Sequence, residues 1–205
     1  MRCLRSRVGC AIVPALVTLL FAGHAPACGF EGDDVSLRRG AMNWSYPDSL
    51  HVLSAVWSAQ RGGLLERLPG FDDPAPPSPA ALRLAQIRVT SRLSKLRTRL
   101  AAAMPAGAPP ALSIVLLEPM LWSRIAVDGD ALRLTVHVDS AAPGDVVIVT
   151  EEPVVAALAD GRLSGRDALA LDLIRVYGRP ADVAAVRGWI EATGVGVPEA
   201  APSPA

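Results

Sequence analysis

The chain has 205 residues, with 20 basic and 20 acidic side chains and 4% aromatics. A balanced charge excludes a nucleic-acid binder, which needs a clear basic excess against phosphate. The length suits one domain, or one domain with an added helical segment, burying roughly two-thirds of its unfolded surface.

Residues 1–27 read as a cleavable signal peptide. Arg2, Arg5 and Arg7 are its only charges, residues 11–22 are mostly aliphatic, and Ala25-Pro26-Ala27 supplies the small-x-small cleavage pattern. A permanent span needs about 20 predominantly apolar residues; this run is shorter and Pro14 interrupts it. Cleavage between Ala27 and Cys28 removes three arginines and no acid, leaving 178 residues with formal charge −3. Cys3 and Cys10 leave too, so Cys28 has no disulfide partner within the mature chain. The expected location is the periplasm or the exterior. A cysteine at the first mature position opens a second reading, a lipid anchor on Cys28, although the lipobox pattern favours Leu where Ala25 stands.

Residues 28–40, with Gly29, Gly32 and Gly40, read as an irregular arm in an N-terminal region extending to residue 68. Tyr46-Pro47-Asp48 looks like a helix start, and Leu50, Leu53, Val56 and Trp57 recur at helical spacing until Gly62-Gly63 ends the run. Residues 69–80 are a stiff Pro-rich linker with no expected helix. The main domain should then span residues 81–197, followed by a Pro-rich tail, 198–205, expected to be disordered. Its first helix, about residues 80–103, carries a one-face stripe of Leu82, Ala85, Val89, Leu93, Leu96 and Leu100. Arg83, Arg88, Arg92, Lys95 and Arg99 line the adjoining face, and the helix contains no acid.

From residue 112 the period changes. Residues 112–117 form a continuous aliphatic run, and residues 132–138 alternate strictly. Asp128-Gly129-Asp130 is a hairpin turn that pairs the alternating strand with residues 123–127. Residues 145–150 form a β-branched strand. Helices are expected at 153–160, at 165–173 with a capping-box-like Ser164 and Asp167, and at 180–193, with a last strand at 174–177. Helices and strands segregate, so the class is α+β: a small, mostly antiparallel sheet packed by helices, preceded by two N-terminal helices joined by the Pro-rich linker.

No nucleophile elbow, phosphate loop or zinc motif occurs, so no catalytic residue, metal ligand or cofactor is assigned. His51 lacks nearby ligands for a metal site, and His137 is read on the polar side of its strand with Arg133 and Thr135. Cys28 with His51 is a weak thiol–imidazole pair, being tied to a chain terminus. Glu151 and Glu152, as neighbours, should point apart, and acids there suit a helix start.

Three surfaces have binding potential. Trp44, Tyr46 and Trp57 form either a partner surface or a hydrophobic staple at a helix start. The cations of the long helix form either an anionic-membrane face, and so a peripheral membrane contact, or a solvated side of a core helix. Leu134, Val136, Val147 and Val149 are either walls of an apolar pocket or plain core.

The segment Gly144-Asp145-Val146-Val147-Ile148-Val149-Thr150, then residues 153–158, Asp160-Gly161-Arg162-Leu163-Ser164, Ala168-Leu169 and Leu173-Ile174-Arg175-Val176-Tyr177-Gly178, resembles the sterol-carrier-protein lipid-binding domain. With looser parts the resemblance extends over about residues 112–178. It implies a sheet covered by helices around an apolar pocket for a lipid or similar molecule. Two functions follow as expectations: an exported, non-enzymatic binder of a lipid or other apolar small molecule, or a cell-envelope accessory or assembly protein that docks a partner protein through its N-terminal aromatic helix.

Overall fold

The computed structural model describes residues 35–67, 78–107, 109–129 and 131–193. Residues 1–27, read above as a signal peptide, Cys28, most of the Pro-rich linker and residues 198–205 lie outside the described residues. Six helices and five strands appear among those described: α1 Val35–Ser45, α2 His51–Arg61, α3 Pro79–Ala102, β1 Leu112–Leu116, β2 Leu121–Asp128, β3 Ala131–Val138, β4 Val146–Thr150, α4 Glu152–Ala159, α5 Gly165–Ala170, β5 Arg175–Tyr177 and α6 Pro180–Ala192.

The strands form one sheet in the order β3-β2-β1-β4-β5. The β1–β4 pair is parallel and the other three pairings are antiparallel, as a mostly antiparallel α+β fold requires. β1 and β4 are central and buried at every position, which is why, apart from Ser113 and Thr150, they are apolar throughout rather than alternating. β3 is an edge strand and keeps the alternation. The expected hairpin joins β2 and β3, with Gly129 at φ +62°.

Residues paired across neighbouring strands share a sheet face. One face carries Ile114, Ser123, Val136, Ile148 and Val176; the opposite face carries Val115, Trp122, Val147, Val149 and Tyr177. Helices α3, α4 and α6 cover the first face, as shown by their shared cavity with Ile114 and Ile148. Helices α1 and α2 cover the second, where Tyr46 packs on Trp122 and Tyr177 with ring centroids 6.1 and 5.3 Å apart. A single buried cluster runs through both layers.

Several local expectations need correction. Residues 35–40 are helical rather than part of an irregular arm, because tertiary contacts outweigh the weak propensity of Gly40. Met42 is buried, and Arg39 donates from Nε to the Leu117 carbonyl (3.1 Å) and from Nη2 to the Glu118 carbonyl (2.5 Å). Pro47 therefore closes α1 instead of opening α2, and Asp48 turns the chain at φ +63° before α2 begins at His51. The last linker residues belong to α3: Ser78 accepts the Ala81 amide at 3.2 Å and Pro79 fills the first turn, a cap pair inside what looked like a continuous breaker. A register shift at Trp122/Ser123 takes His137 out of the β3 alternation, at φ +60°.

Candidate functional site

The α3 stripe is buried at Ala85, Val89, Leu93, Leu96 and Leu100, with Leu82 packed partly against the core. The flank beside it meets α4. Arg88 donates to both Glu152 oxygens, at 2.6 and 3.0 Å, and Arg92 donates to Oε1 of the same carboxylate. Lys95 lies 3.5 Å from Asp160, and Arg99 donates to the Ala159 carbonyl at 2.7 Å. Four of the five cations proposed as an anionic-membrane face are thus held along one helix–helix seam; Arg83, nearer the helix start, is exposed. The reason is electrostatic: α4 offers an acid at each end and an orphan carbonyl, and α3 has no acid of its own with which to pair. The Glu152 carboxylate raises the Arg88 pKa further, chiefly through the hydrogen bond, against the opposing effect of burial.

Between this helix pair, α6 and the sheet lies a cavity of about 20 Å³. The sheet contributes Ile114, Ile148 and Thr150; α3 contributes Leu96 and Leu100; α4 contributes Val155 and Leu158. Ile174, Ile190 and Thr193 close the far side. No charged side chain lines it. The Thr150 hydroxyl is already committed, donating to the Leu173 carbonyl at 3.0 Å, so the lining presents aliphatic surface. The α6 wall is seated by two close contacts. Trp189 donates from Nε1 to the Leu100 carbonyl at 2.9 Å. Gly165 lies so close to the Ile190 carbonyl that an added Cβ would stand 1.8 Å from its oxygen.

The sequence-selected wall residues do not line this cavity. Leu134 and Val136 lie on the same sheet face but out on the edge strand, half-buried beside α3. Val147 and Val149 lie on the opposite face, buried on the α2 side. A fully apolar strand does not disclose which of its faces meets which helix layer, so the choice between 147/149 and 146/148 had no local signal. Leu96 and Leu100 did have one, the α3 stripe.

A second polar site stands at the other side of the same sheet end. Glu151 is 1% exposed; its Oε1 accepts the Glu118 amide at 2.8 Å, and its Oε2 has no hydrogen-bond partner. Burial pushes its pKa well above the ordinary glutamate value, and the negative charge of Glu118 adds to this. The Glu118 amide bond and the charge of Arg39 pull the other way. Glu151 and Glu152 do point apart, one to the Glu118 turn and one to α3. Of the aromatic trio, Tyr46 is turned inward onto the sheet, Trp57 is 52% exposed and donates to Glu118 Oε1 at 3.2 Å, and Trp44 is 90% exposed. His51 is exposed at the start of α2 and His137 is half-buried at the β3 bulge. Among the described residues no group of three or more His, Cys, Asp or Glu is placed to hold a metal ion, and no helix is long and apolar enough to cross a membrane.

No protein-family model and no curated protein matches the chain. Among solved structures, half of the chain is weakly similar to sterol carrier protein 2-like 2 from Aedes aegypti. Its crystal structure aligns at 20% identity and TM-score 0.36 over 50% of this chain and 94% of that one. The palmitated form in solution aligns at 18% identity and TM-score 0.37 over 50% and 93%. The inverting sec-alkylsulfatase Pisa1 from Pseudomonas sp. aligns at 14% identity and TM-score 0.33 over 47% of this chain, which spans only 14% of that enzyme.

Proposed function

We propose that this chain is an exported, non-enzymatic protein that binds a lipid or other apolar small molecule between its sheet and helices α3, α4 and α6. The observation that carries the reading is the uncharged aliphatic cavity at that layer. The resemblance of residues 144–178 to the sterol-carrier lipid-binding domain points the same way. At about 20 Å³ the cavity has room for one water-sized sphere, whereas ligand pockets run to roughly 300–1,000 Å³. Binding must therefore open the layer. The wall expected to move is the last turn of α6, held by the neutral Trp189–Leu100 hydrogen bond and packing at Gly165, whereas α3 and α4 are clamped together by Glu152 and its two arginines. Arg2, Arg5, Arg7 and the Ala25-Pro26-Ala27 pattern support export, and the missing catalytic motifs support a binding role.

The test is a saturable-site measurement. Lipid extracts of the purified protein, followed by titration of the delipidated protein with a fluorescent fatty acid, should reveal a bound apolar molecule and a stoichiometric site. Empty extracts together with non-saturable dye uptake would sink the reading. Mass measurement of the mature amino terminus tests export separately: a chain starting at residue 28, with or without an added lipid, is expected, and intact Met1 opposes it.

The accessory-protein reading retains one specific support, the exposure of Trp44. Deleting residues 28–68 cannot test it, since α1 and α2 cover a sheet face and their loss would uncover core. Replacing Trp44 alone and measuring partner recovery is the informative version.

A further inference from the structure

Helix α1 is apolar on two sides. Met42 and the following Tyr46 face the core. Leu37, 75% exposed, Ala41 and Trp44, 90% exposed, lie at spacings of four and three on the opposite side. Such spacing aligns them in one stripe. The helix contains Arg38 and Arg39 and no acid. Single exposed apolar residues are ordinary; a complete outward stripe ending in tryptophan, on a helix whose other side already packs, is unused binding surface.

The position of α1 indicates what the stripe meets. Arg39 ties α1 to the Leu117 and Glu118 carbonyls, just beyond β1. The Glu118 amide bonds to Glu151, whose neighbour Glu152 holds Arg88 and Arg92 of α3. One turn before Arg88, α3 exposes Leu84, followed by Ile87, both 66% exposed, with Arg83 beside them. Helix α1 is also the described element next in sequence to the amino-terminal segment, residues 1–34. That segment carries the apolar run 11–22 and Cys28.

We infer that this end of the molecule rests on a phospholipid surface, with Leu37, Ala41 and Trp44 immersed at the headgroup level. The inference rests on the export reading for its occupant. A lipid on Cys28 would hold Val35 within about 25 Å of the bilayer, the extended length of seven residues. A surface kept that near to lipid meets lipid before it meets a soluble partner. Tryptophan favours the membrane–water interface, and a helix lying in the interface plane buries one apolar face while its other side stays on the protein.

The experiment uses the protein expressed with its leader and purified as the cell processes it, mixed with phosphatidylethanolamine–phosphatidylglycerol vesicles. Wild type should cosediment, and brominated acyl chains should quench part of its tryptophan emission. The Leu37→Ser/Trp44→Ser variant, altered only at exposed positions, should keep its far-ultraviolet spectrum and its fatty-acid site while its vesicle partition falls by about tenfold or more. Leu84→Ser/Ile87→Ser should give a smaller fall. Three results overturn the inference: no vesicle binding by wild type, equal binding by the Leu37/Trp44 variant, or a wild-type dimer that the variant dissolves while vesicle binding is unchanged. The fatty-acid titration and the amino-terminal mass report on the functional reading independently of these outcomes.

Discussion

The two faces of the sheet are held by different physics. On the α3–α4–α6 side the sheet presents mostly aliphatic side chains, the charged contacts lie between helices, and the hydrogen bonds inside the layer, Thr150 to Leu173 and Trp189 to Leu100, are neutral. On the α1–α2 side the contacts to the sheet are directional. Tyr46 stacks on Trp122 and Tyr177, the Tyr177 hydroxyl donates to the Pro47 carbonyl at 2.7 Å, and Asp145 receives Arg124 and Ser113. Directional contacts specify one geometry, whereas aliphatic contacts tolerate rearrangement that keeps area buried. The proposed ligand would therefore enter on the aliphatic side, with the other side as a fixed platform.

The largest expected effect tests the aliphatic side. Leu93→Ala removes a side chain with 0% exposure, and should cost about 2–5 kcal/mol, read from the urea midpoint. A much smaller loss would mean the layer is already loose there. Gly165→Ala comes next. Its Cβ cannot coexist with the Ile190 carbonyl, so α5 and α6 must separate, at a cost of about 1–3 kcal/mol. Because that loosens the wall proposed to move, dye uptake should become faster; unchanged uptake would assign opening to another element.

Glu151 provides the contrast on the platform side. Its folded pKa is raised, so between the ordinary glutamate pKa and the folded value the native state binds more protons than the unfolded chain. Its contribution is fully present below the unfolded pKa and is lost as pH rises through the folded one, with a limiting slope of about 1.4 kcal/mol per pH unit inside that window. Glu151→Gln keeps the shape without the ionisation, so its stability should fall less with rising pH than that of wild type. Parallel stability–pH curves would rule out the raised pKa. The smallest effect belongs to Lys95→Ala. Its 3.5 Å pair with Asp160 joins side chains 62% and 43% exposed, so stability should change by no more than about 0.5 kcal/mol.

Where a pattern was local, it could be read from residue order. The α3 stripe, the Asp128-Gly129 turn and the Ser164–Asp167 cap all appear as expected: the Ser164 hydroxyl accepts the Asp167 amide at 3.0 Å and donates to its carboxylate at 2.6 Å. Each depends on residues within a turn or two of one another. Helix α1 was hidden because a glycine and a nearby proline outweigh its propensity locally, while its support comes from the Leu117 and Glu118 carbonyls, nearly eighty positions away.

The sequence by itself determined the class and the order of the elements from α3 onward, since period and apolar continuity follow directly from what each element must bury. Only the tertiary structure decided the partners. It turned the cations of α3 onto α4, put Val147 and Val149 behind the sheet from Ile148, and left Trp44 facing outward while Tyr46 turned in. Those outcomes depend on which surfaces meet, and a charge or an aliphatic side chain in a linear chain carries no record of the group, distant in sequence, that will lie against it.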